Sequence, residues 1–456
     1  MRLAMIGTGY VGLVSGACFA DFGHHVTCVD SDTQKIDALR DGLIPIYEPG
    51  LEELVKNNVT GGRLDFATAP DDAVSDADVV FLAVGTPSRR GDGHADLQYV
   101  FAAARQLVPL LRDDAVIVTK STVPVGTGDE IERIVAELRP GSAIKVASNP
   151  EFMREGAAID EFRRPNRIIV GVDSEHAREV MSEVYRPLYL NQAPLVFVSR
   201  RTAELTKYAA NAFLAMKISF INEIADLCEK TGANVQDVAR GIGLDQRIGS
   251  KFLHSGPGFG GSCFPKDLLA LSKTAHDFST ELRLVEATIY VNDRRKRDMA
   301  KKVIAACGGS VRGKTICMLG LTFKPNTDDM RDAPSLSIIT ALLDQGASIV
   351  AHDPVGNEQA QRAVADSRVR FVDDPYEAAK GADAAVIVTE WTSLRALDLD
   401  RLGTAMAERV LVDLRNIYRK EEVVRAGFAY HCVGRPTEET EVSENATRFE
   451  SFKLHA

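Results

Sequence analysis

Four stretches of the chain carry side chains whose types and spacing suit chemistry. The first is Gly7-Thr8-Gly9-Tyr10-Val11-Gly12, followed 18 residues after Gly12 by Asp30. Gly7 suits a tight turn, Gly9 lets the backbone approach a pyrophosphate, and Gly12 lets helix and strand pack closely, while the helix N-terminus stabilises negative charge. Asp30 would accept hydrogen bonds from both adenosine ribose hydroxyls and repel a 2′-phosphate, which favours NAD over NADP. The second is Gly258-Phe259-Gly260-Gly261-Ser262-Cys263-Phe264-Pro265-Lys266-Asp267. Pro265 suits a first helical turn, so the Cys263 thiol is expected near a helix N-terminus with Lys266 beside it, and both favour thiolate. A buried inert cysteine is the usual alternative; the glycines and Asp267 favour a nucleophile. The third is the pair Lys207 and Asn211, four residues apart and so on one face of a helix. That pair is either a solvent-exposed stripe or, where the helix passes beside Cys263, part of a site. The fourth, Asn149-Pro150-Glu151-Phe152-Met153-Arg154-Glu155, follows a strand-like stretch ending at Ser148, at the edge where α/β ligand sites form. Its carboxylates could serve as acid, base or sugar-hydroxyl acceptor, or be solvated loop charges.

The elements that must hold these groups follow from hydrophobic patterning. An apolar run from Leu3 to Ile6, the glycine turn, a helical stretch to Phe22, Gly23 and a second apolar run from Val26 to Val29 make a βαβ unit. Continuous apolar runs at 78–84, 115–119 and 168–172 are of the kind a parallel sheet buries on both faces. From Thr202 to Lys230 there is no Gly or Pro, and apolar residues recur at helical spacing, predicting a helix of roughly 40 Å that spans two domains or forms a subunit interface. Helical patterns continue to about Ala306, broken by the segment 254–262. A third region opens at Lys314 and echoes the first: Gly346 precedes Asp353 by seven residues, as Gly23 precedes Asp30, and Ala382-Asp383-Ala384-Ala385-Val386-Ile387 matches Ala77-Asp78-Val79-Val80-Phe81-Leu82. The glycine fingerprint itself is missing there, so no second dinucleotide is predicted; Lys324 and Arg331 on that loop meet either phosphate groups or surface carboxylates. The expected fold is α/β: two Rossmann-like doubly wound parallel-sheet domains joined by a helical segment with a long central helix. The expected boundaries are 1–200, 201–306 and 307–436, with a flexible tail over 437–456.

Length and composition narrow the partners. The 456 residues have room for about three domains. Hydrophobic residues at 45% and charged residues at 26% describe an ordinary soluble globular chain rather than a disordered or fibrous one. The net charge of −10 disfavours nucleic acid as a partner, although a few local Arg and Lys can still hold a small anion. Seven scattered cysteines without C-x-x-C pairs or zinc-spaced histidines support neither a disulfide framework nor a metal site. No run approaches a membrane span or a signal-peptide core, so a cytoplasmic protein with reduced thiols is expected.

Taken together these motifs identify a family. Over the whole chain to about residue 436, the glycine turn, Ser121-Thr122-Val123-Pro124-Val125-Gly126-Thr127, Asn149-Pro150-Glu151-Phe152, the Lys207/Asn211 helix, the 258–267 segment and Phe323-Lys324-Pro325-Asn326-Thr327-Asp328-Asp329-Met330-Arg331 resemble the nucleotide-sugar 6-dehydrogenases. The resemblance implies a four-electron oxidation of a sugar CH2OH to a carboxylate with two turnovers of NAD and no free aldehyde. It makes Cys263 the nucleophile that forms a thiohemiacetal and then a thioester, Lys207 and Asn211 the donors to the oxyanion, and Asp267, Thr122 and Glu151 the groups that hold or activate water, with Glu151 a candidate general base. By the same resemblance Gly7, Gly9, Tyr10, Val11, Gly12, Asp30, Lys35, Thr86, Thr122, Glu155, Lys266 and Arg331 fall at NAD positions. Glu151, Phe152, Met153, Arg154, Glu155, Lys207, Asn211, Phe252, Leu253, His254, Ser255, Gly256, Gly260 and Lys324 fall at nucleotide-sugar positions. Arg247 resembles a residue that reaches the substrate of a neighbouring subunit, which implies a homodimer.

Within the family, Phe264 and the segment Phe252-Leu253-His254-Ser255-Gly256 look more like the group acting on UDP-glucose than like those acting on GDP-mannose or UDP-N-acetylmannosamine. Two other classes compete. A two-electron 3-hydroxyacid dehydrogenase also joins a Rossmann domain to a long helix, but it needs neither Cys263 nor a third α/β region. A non-catalytic NAD-binding protein would not need the set Glu151, Lys207, Asn211, Cys263 and Asp267.

Overall fold

The structure, a computed structural model, describes residues 1–89, 93–191 and 193–436. The tail expected over 437–456 lies outside the described residues. The chain divides into two compact units, Met1–Asn211 with Lys266–Glu281, and Ala212–Pro265 with Leu282 onward.

In the first unit the apolar runs become strands β1 (Arg2–Ile6), β2 (His25–Val29), β3 (Leu64–Ala67), β4 (Val79–Leu82), β5 (Val116–Thr119), β6 (Lys145–Ser148), β7 (Ile168–Gly171) and β8 (Leu195–Val198). They form one sheet in the order β3-β2-β1-β4-β5-β6-β7-β8. Alternation of side chains explains why the central runs are apolar throughout: Leu3 and Met5 join the core on one face, Ala4 and Ile6 the core on the other. The order reverses at β1, which pairs with β2 on one side and β4 on the other, Ile6 lying opposite Val29 and Leu82. That reversal opens a crevice at the strands' C-terminal ends, where the glycine turn sits. One pairing departs from a uniformly parallel reading. β6 meets β7 antiparallel, through Ser148 and Gly171, and β8 runs parallel to β7. β3 and β8 at the two edges are only partly buried; Asp65 interrupts the apolar pattern of β3, whereas β8 is apolar throughout but only four residues long.

In the second unit β9 (Thr315–Leu319), β10 (Ser348–His352), β11 (Val369–Phe371), β12 (Ala384–Ile387), β13 (Val410–Asp413) and β14 (Ala429–Cys432) form a sheet in the order β11-β10-β9-β12-β13-β14, every pair parallel. This is the order of the first six strands of the other sheet, so the echo in the sequence is an echo in topology. Ile316 and Met318 face one core, Cys317 and Leu319 the other.

The stretch without Gly or Pro is a single helix, Arg200–Thr231, of 32 residues and ~48 Å. The boundary between the units falls within it, after Asn211. Its N-terminal part buries Ala203, Glu204, Lys207, Tyr208 and Asn211, and farther along Ile221, Ala225 and Cys228 enter the core of the second unit. Leu205, Phe213, Phe220 and Leu227 on the same helix are exposed. Among the described residues no helix is long and apolar enough to cross a membrane, and none of the seven cysteines is in a disulfide.

Candidate functional site

The glycine turn has the geometry a dinucleotide phosphate needs. It joins β1 to the helix Tyr10–Asp21. Gly7 has φ +101, and a Cβ there would meet the Ala83 carbonyl oxygen at 2.7 Å; a Cβ on Gly12 would lie 1.9 Å from the Gly7 oxygen. Around Gly9 no atom lies within 4 Å of such a position, so the backbone is open to a ligand. Val11 follows in the first helical turn. Asp30, just past β2, accepts from the Thr8 amide at 2.9 Å, the Thr8 hydroxyl at 2.8 Å and Lys35 Nζ at 2.9 Å. Burial works to raise its pKa, but these bonds and one from Asp32 N outweigh it and hold the carboxyl down at about 2. A carboxylate at this strand end, beside an open turn and a helix N-terminus, fits the ribose and pyrophosphate of NAD. At the ends of β4 and β5, Thr86 Oγ1 donates to the Thr122 carbonyl at 3.0 Å and Ser121 Oγ to the Val84 carbonyl at 2.6 Å, tying the two loops together.

Tyr10 does more than flank the glycines. Its hydroxyl donates to Glu48 and accepts from the Gly156 amide at 3.1 Å, while Glu48 accepts from Gly156 N at 2.6 Å and Ala158 N at 2.7 Å. Glu48 thereby staples the end of the 149–156 segment to the glycine-turn helix.

The third and fourth stretches meet. Lys207 Nζ lies 3.3 Å from Glu151 Oε1, with the two residues only 3% and 6% exposed, and Met153 N donates to Glu151 Oε2 at 2.6 Å. One helical turn on, Asn211 Nδ2 donates to Asp267 Oδ2 at 2.7 Å, and Lys266 Nζ binds Oδ1 of the same carboxylate at 2.7 Å. Asp267 is 1% exposed. The Lys207/Asn211 face is therefore a buried polar ladder inside the first unit, not a solvent stripe, and Glu151 is not a solvated loop charge. Phe152 is flanked by two cations, the Arg167 guanidinium 3.8 Å from its centroid and Lys207 Nζ at 5.2 Å. Arg154 turns outward to pair with Glu161, and Glu155 is half-buried.

Cys263 is half-buried and immediately precedes the helix Phe264–Asp277, with Ser262 Oγ 3.5 Å from its sulfur. Pro265 stands in the first turn, as expected, together with Lys266 and Asp267. The glycine segment before it is held inside the second unit from several sides. Asn292 brackets Phe259, accepting from its amide at 2.8 Å and donating to its carbonyl at 3.0 Å; Asn222 accepts from Gly256 N at 2.8 Å and Arg295 donates to Gly256 O at 2.9 Å. A Cβ on Gly260 would lie 2.3 Å from the Asp332 oxygen, and Gly261 N donates to the Arg331 carbonyl at 2.8 Å, so this segment packs on the loop bearing Lys324 and Arg331. Phe252 takes φ +65 and its ring lies 6.2 Å from that of Phe264. Leu253 and Ser255 are buried and His254 is exposed. Arg331 pairs with Asp329, Lys324 Nζ lies 5.3 Å from the Phe323 ring, and the exposed Arg247 pairs with Asp245.

Sequence reasoning did not single out Lys120, Glu48, Glu204, Asn222, Asn292 or Arg295. Each acts through a partner more than 25 residues away, and a single sequence shows no such pairing; the one local hint was Lys120 beside Ser121-Thr122. In the second unit Asp353, the counterpart of Asp30, is buried and accepts from Leu321 N at 2.7 Å, Thr322 N at 3.1 Å and Trp391 Nε1 at 3.1 Å. It is a pin for its own loop.

Comparison with known proteins agrees with this geometry. Three domain models of one family match in order: its NAD-binding domain over residues 1–189, its central domain over 201–294 and its UDP-binding domain over 317–420. A UDP-glucose 6-dehydrogenase of Rhizobium meliloti (strain 1021) is 65% identical over 438 residues, covering 96% of this chain and 100% of the relative. A UDP-glucose 6-dehydrogenase of Pseudomonas aeruginosa is 45% identical over 444 residues, covering 96% and 98%. Among solved structures, a UDP-glucose dehydrogenase from the archaeon Pyrobaculum islandicum superposes with a TM-score of 0.87 at 39% identity, covering 95% of this chain and 97% of that one. This chain, an NAD-dependent oxidoreductase, belongs to the UDP-glucose/GDP-mannose dehydrogenase family.

Proposed function

We propose that the protein oxidises UDP-glucose to UDP-glucuronate, with two NAD reduced for each sugar and the carbon held on Cys263 between the two oxidations. The observation that carries this reading is the buried ladder of Glu151–Lys207 and Asn211–Asp267 on one helix face, in a chain 65% identical to a UDP-glucose 6-dehydrogenase. NAD supplies the hydride acceptor in both steps. In the first, Glu151 with Lys207 takes the proton from the C6 hydroxyl as hydride leaves. The Cys263 thiolate adds to the resulting aldehyde, and Lys207 and Asn211 donate to the oxygen of the thiohemiacetal. Loss of the second hydride leaves a thioester, which water, held by Thr122, Glu151 and Asp267, cleaves to the carboxylate and free thiol.

Gly7 through Gly12, Asp30, Lys35, Thr86, Glu155, Lys266 and Arg331 hold NAD in this reading; Phe152, Met153, Arg154, Phe252–Gly256, Gly260 and Lys324 hold the nucleotide sugar. The boundaries 1–200, 201–306 and 307–436 then separate cofactor-binding, linking and nucleotide-binding parts. The exposed row Phe213, Phe220 and Leu227 on the long helix supports a homodimer, in which Arg247 reaches the neighbouring subunit's substrate. A cytoplasmic site of action suits the thiolate chemistry of Cys263.

The test is the NADH formed per UDP-glucose consumed at exhaustion, with GDP-mannose in parallel. Two NADH per UDP-glucose is expected; one would end the covalent route, and activity on GDP-mannose alone would move the substrate. Cys263→Ser is expected to lower turnover by about a thousandfold or more; unimpaired turnover would rule out the thioester.

A further inference from the structure

Lys120 immediately follows β5, directly before Ser121 and Thr122, and its side chain is buried. Among the described residues no carboxylate lies within ion-pairing distance of its ammonium. Nζ instead donates to Asn149 Oδ1 at 2.9 Å and to the Tyr185 hydroxyl at 3.3 Å, and it lies 5.9 and 6.0 Å from the Phe162 and Tyr185 ring centroids. A buried cation whose direct contacts are neutral acceptors and ring faces is expensive, and packing alone would be better served by an apolar chain of the same length. Burial pushes its pKa down to about 8, with Glu151 opposing the shift and Lys207 adding to it.

The group Lys120 grips is the foot of the Glu151 loop. Asn149 Oδ1 also accepts from the Tyr185 hydroxyl at 2.5 Å, and Asn149 Nδ2 donates to the Ile169 carbonyl on β7 at 2.9 Å. Two residues on, Glu151 meets Lys207. Lys120, Glu151, Phe152 and Arg167 line one cavity of about 70 Å³.

We propose that Lys120 is a positioning residue for the reaction: by gripping Asn149 it fixes the loop on which Glu151 meets Lys207, and it places a second positive charge near that pair. This rests on the reading of Glu151 and Lys207 as the proton-transfer and oxyanion groups.

The test compares full-length Lys120→Met, Lys120→Arg and Glu151→Gln by steady-state kinetics with UDP-glucose and NAD, alongside thermal unfolding. Lys120→Met is expected to keep its Tm and its KM for NAD, within about twofold, while kcat falls about tenfold or more; Lys120→Arg, which keeps charge and donors, is expected to recover much of that loss. A Lys120→Met kcat within twofold of the parent, or a joint fall of kcat and Tm with Arg no better than Met, would overturn the proposal. Should Lys120→Met fail to fold, Tyr185→Phe, which removes the hydroxyl sharing Asn149, is expected to lower kcat severalfold at unchanged KM; an unchanged kcat overturns the proposal. A fully active Glu151→Gln sinks the base reading and this proposal with it, whereas an impaired Glu151→Gln beside a fully active Lys120→Met sinks the proposal alone.

Discussion

Glu204 on the long helix is 2% exposed and caps the helix Thr127–Leu138 from outside, its Oε2 accepting from Gly126 N at 2.7 Å and its Oε1 from Gly128 N at 2.8 Å. Burial raises its pKa, and the two amides only partly offset that, so the carboxyl titrates at about 7 rather than 4.5. Because the folded value lies above the unfolded one, the contribution of Glu204 to stability is fully present below pH 4.5 and is lost as pH rises through about 7. At ~1.4 kcal/mol per pH unit the rise corresponds to ~3 kcal/mol. A Glu204→Gln variant does not titrate, so the difference in unfolding free energy between variant and parent isolates this residue. Gln must turn its NH2 toward one of the two amides, a pH-independent cost of about 1 kcal/mol. Urea unfolding followed by far-UV circular dichroism at pH 5 and pH 9 is the assay, since the single Trp391 reports on the other unit. Relative to the parent, the variant is expected to gain roughly 2.5 kcal/mol between those pH values, whatever its starting offset. A difference that stays flat with pH would refute the claim that Glu204 is buried with too few donors to remain a carboxylate at low cost.

Three further outcomes follow from the same geometry. Gly12→Ala drives a Cβ to 1.9 Å from a backbone oxygen, and is expected to cost about 3 kcal/mol or more and to abolish NAD binding, measured by thermal unfolding and by titration with NAD; a folded variant with parental affinity would contradict the turn geometry. Asp30→Ser removes the carboxylate that faces Thr8 and Lys35, and is expected to shift the ratio of kcat/KM values toward NADP by about tenfold or more; an unchanged ratio would show that Asp30 does not exclude the 2′-phosphate. If the proposed homodimer packs on the exposed row of the long helix, replacing Phe213 and Phe220 with Lys is expected to leave a monomer in sedimentation velocity without loss of helix content where the parent sediments as a dimer, and a variant that still sediments as a dimer would place the interface elsewhere.

Much of the molecule was legible as local pattern. The strand, glycine turn and helix at the N-terminus, Asp30 at the next strand end, the continuous apolar runs of the central strands, the helix free of Gly and Pro, and Pro265 in the turn after Cys263 are all written within windows of about 30 residues or fewer. Short-range sterics and alternation of side chains decide such features. The edge strands β3 and β8 were not legible: Asp65 breaks the apolar pattern of β3, and the four apolar residues of β8 are too short a run to tell a strand from a buried turn of helix. Nor was the antiparallel meeting of Ser148 and Gly171, since strand direction is set by how the connection returns and not by composition.

What the sequence determined by itself was therefore the inventory: the cofactor turn, the cysteine segment, the two polar residues one turn apart and the repeat of the α/β unit, the last visible in the matching positions of Asp30 and Asp353. Only tertiary structure decided which of these groups are charges in water and which are buried partners. Lys207 and Asn211 are indistinguishable on paper from a solvated stripe; they become a ladder because Glu151 and Asp267, each 56 residues away in sequence, are brought onto their face. The same holds for Lys120 against Asn149 and for Glu204 against Gly126. Desolvation and pairing depend on what else fills the space around a group, and in this chain that space is filled from distant segments.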